Sequence, residues 1–424
     1  MPKLLNKYFD YSSTDVVQAI VILLLFFPLF FQLSGSVFTA TDINYDSQGL
    51  LLRVPLPIAA IICFIGIVFT IRLEKRHFGM GVIFSIFMLM MLSVILTTAE
   101  AGQIKLTKFI LLGQFILPMF AFVLGSLYLK PKSVYLGFEA LALYMLLIII
   151  PLEVTASVLQ GNYSLTPNLY IFSLYQYHQY LPVVFIGLYF LIATALYKNN
   201  ILRHLILFLT PWMGIYIAKS ISLLTVSLAI LGVFIFIMGA FKKNKKIYAL
   251  TLVTLLLIFS VIYYPIIEFV KVYLMNISYE IHIFNGFVTK FPHIFTKTFP
   301  YWDYYWHGIF GGLKLLLFGH QSSPDSNLYP SAHNYYLDLI YNFGLVAMLP
   351  FGYLIFDTIR KFKQYVGSKF LTVNLLMLFI VVMFSVFADN SFKVTFRQPY
   401  PGMVMFFLWG VLSARLHEFD ERLR

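Results

Sequence analysis

Twelve runs of this chain are apolar over about the 20 residues that an α-helix needs to cross the ~30 Å hydrocarbon core of a membrane. No other feature narrows the possible folds as much. The runs lie at roughly 16–35, 55–71, 80–98, 108–128, 135–156, 182–197, 204–219, 223–241, 248–267, 336–356, 370–388 and 401–415. Lipid offers backbone groups no hydrogen-bond partner, so each run must satisfy its own N–H and C=O groups as a helix. The expected fold is an all-α polytopic membrane protein of about 12 transmembrane helices, forming one domain over residues 1–424. Charged residues make up only 11% of the chain, against ~25% in soluble domains. The first run follows Lys3 and Lys7 but is longer than a signal-peptide core and has no cleavage box, so it reads as an uncleaved span.

An even number of spans places both termini on one side. The 30 basic residues outnumber the 18 acidic ones, a balance that in a soluble protein would suggest nucleic acid. Here it is explained by orientation, and no nucleic-acid partner is expected. Twenty basic residues, among them Arg72, Lys75, Lys242, Lys243, Lys245, Lys246, Arg360 and Lys361, fall in one set of alternate loops. The other set holds Arg53, Lys105, Lys108, Lys219, Lys271, Lys290, Lys297, Lys314, Lys393 and Arg397. The positive-inside rule makes the richer set cytoplasmic. The long loop of about 268–334, between helices 9 and 10, is then extracytoplasmic. The single cysteine, Cys63, lies inside an apolar run, so neither an intrachain disulfide nor a cysteine metal cluster is possible.

The long loop carries YWDYYWHG (301–308) and IFGGLKLLLFGH (309–320). Trp and Tyr favour the membrane interface, so short helices lying on that surface are expected. Trp302, Tyr304, Tyr305 and Trp306 can serve as interface anchors or as faces that stack on sugar rings or a lipid carrier.

Titratable chemistry concentrates at 319–350, where the polar SPDSNLYPSAHN leads into an apolar run. Pro330 halts the preceding segment, Ser331 is a candidate N-cap, and His333 falls in the expected first helical turn, where the helix dipole favours neutral imidazole. Neutral imidazole can accept a proton, and the same helix end favours an anion such as phosphate. Asn334, Asp338 and Asn342 follow at i, i+4 and i+8, one polar stripe on one helix face. In lipid such a stripe must face protein or a wet cavity, and Asp338 is either a functional acid or a tie between helices. Arg53, Lys219 and Arg397 sit at membrane boundaries on the same side, with Lys314 and His320 in the loop. Each either snorkels to headgroups or clamps an anion. HxxxH and HExxH are both absent, so the histidines do not suggest zinc.

His333-Asn334, nine intervening positions and Gly344-Leu345-Val346 resemble the H-[NSQ]-x9-G-x-x signature of the O-antigen ligase and O-antigen polymerase superfamily. The likeness is specific over 319–350 and extends to the rest of the chain in topology alone. It implies an integral-membrane GT-C type glycosyltransferase needing neither metal nor other cofactor. It would act on the periplasmic face of the bacterial inner membrane with cytoplasmic termini. The donor would be a glycan on undecaprenyl diphosphate, and the acceptor lipid A-core for a ligase or a lipid-linked repeat unit for a polymerase. Membrane lipids and a chain-length regulator are further implied partners.

The matching histidine, His333, would be the base for the acceptor hydroxyl, with Asn334 or Asp338 orienting it or the acceptor. Arg53, Lys219, Arg397, Lys314 and His320 would be the candidates for the diphosphate. Where many members carry Ser-Arg, this chain reads AKSIS (218–222), and Ala347 stands where ligases often have Gly, Thr or Tyr. The alternative from another class is a flippase or transporter of lipid-linked oligosaccharides.

Overall fold

A computed structural model describes residues 13–26, 58–70, 78–99, 106–161, 165, 177–220, 222–241, 299–321, 331–368 and 370–423. The described residues are all-helical, with no strand among them. In chain order the helices are α1 (Ser13–Phe26), α2 (Ile58–Thr70), α3 (Phe78–Ala99) and α4 (Leu106–Ile116). A 3-10 turn at Leu117–Met119 joins α4 to α5 (Phe120–Ser126), and Pro118 at the start of that turn explains the change of helix type. Next come α6 (Phe138–Leu159), α7 (Tyr177–Leu196), α8 (Asn200–Ser220) and α9 (Leu223–Phe241). The longer remaining helices are α10 (Phe299–Ile309), α11 (Leu313–Phe318), α12 (Tyr335–Tyr365), α13 (Val373–Phe384), which runs on through a π-helical stretch Ser385–Asp389 and a turn Asn390–Phe392, and α14 (Pro399–Leu423).

Among the described residues, six helical stretches are long and apolar enough to cross a membrane: Gly79–Thr97, Lys108–Ser126, Phe138–Leu159, Asn200–Ser220, Tyr335–Tyr365 and Val373–Phe392. Asp15–Phe26, Tyr180–Leu196 and Leu223–Ile237 are shorter apolar helices. This is the architecture of a polytopic membrane protein. The run at 248–267 and the loop residues 268–298 lie outside the described residues. The aromatic part of the loop forms α10 and α11, and both pack on α12.

The bundle centre is where α5 and α14 cross. A Cβ added to Gly125 would stand 2.1 Å from the Phe407 carbonyl oxygen, and one on Gly410 would stand 2.0 Å from that of Phe122. Small residues are what let membrane helices approach this closely. Beside the crossing, Trp409 packs edge-on against Phe351 and parallel to Phe406, and its indole N–H donates to Thr358 Oγ1 at 2.9 Å. The buried indole thereby leaves no orphan donor.

Helix α12 is not continuous. Gly344 has φ 82° and ψ 168°, so a half-helix Tyr335–Phe343 meets a second half-helix at a break. Glycine is required there twice over. The left-handed φ favours it, and a Cβ would stand 2.1 Å from the Leu317 carbonyl oxygen, because α11 lies directly against the break. The end of α12 remote from His333 is held by ions, with Lys361 Nζ 2.5 Å from Asp357 and 2.7 Å from His417 Nε2.

Candidate functional site

The site is built where the chain enters α12. Asn334, not Ser331, is the N-cap: its carboxamide oxygen accepts from the backbone N–H groups of Tyr336 and Leu337 at 3.0 and 3.1 Å. The expected cap at Ser331 fails because Ser331 is used otherwise. Its hydroxyl donates to Asp338 Oδ2 at 2.6 Å and accepts from the His333 backbone N–H at 3.1 Å. His333 therefore precedes the helix instead of lying in its first turn. Its φ of 50° is the one left-handed non-glycine conformation among the described residues. Histidine tolerates this region better than most residues, at a cost on the order of 1 kcal/mol.

Asp338 locks that corner. Its Oδ1 accepts from the Ala332 backbone N–H at 2.9 Å and its Oδ2 accepts from Ser331 and from Arg397 Nη1, the last also at 2.9 Å. The carboxylate is 1% exposed and the Arg397 side chain 12%. One buried carboxylate thus holds the loop before its own helix and the segment before the last helix. It ties helices together, as one of its two sequence readings had it, and does so beside the histidine. Asn342 is buried too and donates to the Asp338 carbonyl at 2.7 Å, so the lower part of the stripe faces protein.

The His333 ring faces the Tyr301 ring with centroids 6.5 Å apart and planes 26° apart. Trp302 Nε1 donates to the Ala332 carbonyl at 2.7 Å, which fastens α10 to the same loop. Burial holds the His333 imidazole below its ordinary pKa; Asp338 opposes this shift and Arg397 adds to it. Desolvation is the leading cause of that shift, and it favours the neutral ring. Tyr305 packs with Ala332 and Tyr341, and burial first and the Asp338 charge second push its phenol up, so that it remains protonated.

Arg397 also lies over the Phe115 ring, its Cζ 5.7 Å from the centroid. Its side chain makes no hydrogen bond among the described residues other than that to Asp338, so most of its guanidinium fork is uncommitted.

The other candidate cations are dispersed. His320 stacks on Tyr341, 4.0 Å between centroids, at the break in α12; burial holds its pKa down, a hydrogen bond with the Gly308 backbone opposes this, and the Lys108 charge adds a smaller lowering. Lys314 is exposed on α11. Lys219 ends α8, which packs on α6, α7 and α9, and its carbonyl accepts from Leu165 N at 3.2 Å. Arg53 lies outside the described residues. The structure therefore brings together His333, Asn334, Asp338 and Arg397. Comparison of the chain with family models, curated proteins and solved structures finds no match.

Two lysines near the site were read from the sequence only as members of the outer loop set. The Lys393 carbonyl accepts from Tyr335 N at 3.1 Å, and its Nζ stands 3.8 Å from the buried Asp389. Lys108 is fully buried and donates to the Asn342 carbonyl. Nothing in local spacing marks Lys393. Lys108 could have been singled out as a cation at the edge of an apolar window, where an internal acceptor is needed.

Proposed function

We propose that this chain is a glycosyltransferase of bacterial surface polysaccharide assembly, an O-antigen polymerase or ligase working on the periplasmic face of the inner membrane. In this reading it has about twelve spans, cytoplasmic termini and a periplasmic loop of about 268–334. The observation that carries it is a half-buried histidine held at a left-handed corner by a carboxylate that is itself paired with an arginine. The signature-like spacing of His333-Asn334 and Gly344 supports it.

The chemistry asks for little more. The acceptor hydroxyl oxygen attacks the anomeric carbon of the donor sugar while the bond from that carbon to the diphosphate oxygen breaks. His333 takes the hydroxyl proton, and undecaprenyl diphosphate leaves with the bonding pair. Direct attack inverts the anomeric centre. Diphosphate is a good leaving group, so the protein's task is to hold it with cations and to position the acceptor. The free part of the Arg397 fork suits a phosphate oxygen pair. The remaining charge would come from Lys393, Lys314, Lys219 or Arg53, while His320, whose pKa burial lowers, offers a ring N–H in place of a full charge. Tyr301, facing the base, offers a ring on which an acceptor sugar could lie.

The test is His333→Ala in a strain lacking the parent gene. Expected is loss of long surface polysaccharide with unchanged amounts of protein in the membrane. Full-length polysaccharide would remove His333 from the base role. A null strain then sorts the activities: single repeat units on lipid A-core indicate a lost polymerase, and long chains left on undecaprenyl diphosphate a lost ligase.

A second reading, a lipid-linked oligosaccharide flippase, is favoured by one observation. Discontinuous helices such as α12 are how transporters build sites at membrane depth. A radiolabelled lipid-linked donor given to purified protein in detergent separates the two, because an enzyme lengthens or transfers the glycan and a flippase leaves it unchanged.

A further inference from the structure

The break in α12 leaves carbonyl groups without helical partners at the C-terminal end of the half-helix Tyr335–Phe343. That end also carries the negative pole of the half-helix dipole, so it is a site for a cation. Three elements converge on it. His320 N donates to the Tyr341 carbonyl at 2.7 Å, and the Ser93 hydroxyl donates to the Phe318 carbonyl, holding α11 in place. Lys108, from the first turn of α4, has no solvent exposure; its Nζ is 2.5 Å from the Asn342 carbonyl oxygen and 5.2 Å from the centre of the Phe343 ring. A carbonyl at a helix end and an aromatic face are both ligands for a monocation. No carboxylate is hydrogen-bonded or ion-paired to Lys108 among the described residues.

We propose that the break in α12 is a monovalent-cation site whose occupant is the tethered ammonium of Lys108. Lys108 is then a positioning residue. It fixes the half-helix that bears Asn334 and Asp338 at its start, and does so from the opposite end, across two turns of helix. In an ion-coupled transporter the ligands at such a break serve a dissociable ion. Here the position is filled by the chain itself, which makes the half-helix a fixed mount. This stands whatever chemistry is assigned to His333.

The experiment compares the purified parent, Lys108→Met, Lys108→Ala and Lys108→Arg in detergent, following amide hydrogen exchange by mass spectrometry. Lys108→Met keeps the stem and removes the charge. Protection should fall at least tenfold in the segment 335–343 and stay within twofold in Gly79–Thr97 and Val373–Phe392. Lys108→Ala leaves room for a guest, and ethylammonium should restore protection of 335–343 in a saturable way, whereas sodium or ethanol at the same concentration should not. If Lys108→Met matches the parent, if protection falls equally in all spans, or if ethylammonium does no more than sodium and ethanol, the proposal is overturned. Should Met and Ala variants both fail to accumulate, Lys108→Arg decides. Accumulation with parent-like protection of 335–343 supports a cation at this position, and failure of Arg as well overturns it.

Discussion

Asp338 and Arg397, 59 residues apart in sequence, form a buried ion pair of 2.9 Å that also fixes the backbone on which His333 sits. Removing one partner strands the other charge away from water, which costs about 3–5 kcal/mol in buried pairs. Asp338→Ala should therefore lower thermal stability in detergent markedly. The double variant Asp338→Leu with Arg397→Met should recover part of the loss but not all of it, because the Ala332 N–H and the Ser331 hydroxyl also lose their acceptor. A double-mutant cycle on unfolding temperatures measures the coupling.

The φ of 50° at His333 separates backbone from side chain. His333→Val should be at least about 1 kcal/mol less stable than His333→Gly, although valine buries more apolar surface, because a β-branched residue is the worst choice for a left-handed corner. Under the proposed function, both should fail in glycan transfer. Equal melting temperatures would mean that the corner relaxes.

Asn334→Ala should cost about 1 kcal/mol through loss of the cap, while Asn334→Ser should restore most of it. If the carboxamide only caps, transfer by Asn334→Ser should equal that of the parent. A Ser variant that is stable but slow would assign the amide group a part in positioning the acceptor.

Gly344→Ala meets both a left-handed φ and the Leu317 carbonyl at 2.1 Å. Strain of the first kind alone costs about 1–3 kcal/mol. The variant should melt well below the parent and lose the packing of α11 on α12, read as faster proteolysis between Phe310 and Gly319.

Burial lowers the His333 pKa below its ordinary 6.5. The neutral form therefore persists into mildly acidic solution, and if His333 is the proposed base, the acid limb of a transfer-rate profile should fall below pH 6.5. For stability the sign runs the same way. Between the lowered folded pKa and 6.5 the unfolded chain binds a proton that the folded site refuses, so stability is lost as pH falls through that window. His333→Gln should flatten that part of the stability profile.

Helix positions were legible because lipid leaves a 20-residue apolar run no other way to satisfy its backbone; described helices overlap eleven of the runs, six described stretches are long and apolar enough to cross a membrane, and the run at 248–267 lies outside the described residues. Within the site, His333, Asn334 and Asp338 were legible as polar residues at the start of such a run. The N-cap was misplaced by three residues because Ser331 and Asn334 are both good caps, and only the carboxylate of Asp338 decides which hydroxyl or amide is left for the helix end. The partner of Asp338 was out of reach, since local spacing says nothing about which of several outer cations folds back across 59 residues. The break at Gly344 was hidden for a related reason. A glycine in an apolar run looks the same whether its φ is negative or positive, and only the backbone of α11 pressed against it requires the second.

The separation between Asp338 and Arg397 has a bearing on how the protein is made. The carboxylate is synthesised first, in a half-helix that is capped by Asn334 and also carries Asn342, and its arginine emerges only just before α14. Until then the helix holds an unmatched acid, which is costly in hydrocarbon. The half-helix Tyr335–Phe343 thus depends for its seat on a segment made 59 residues later, and a chain truncated before Arg397 should be handled by the cell as an incompletely inserted protein.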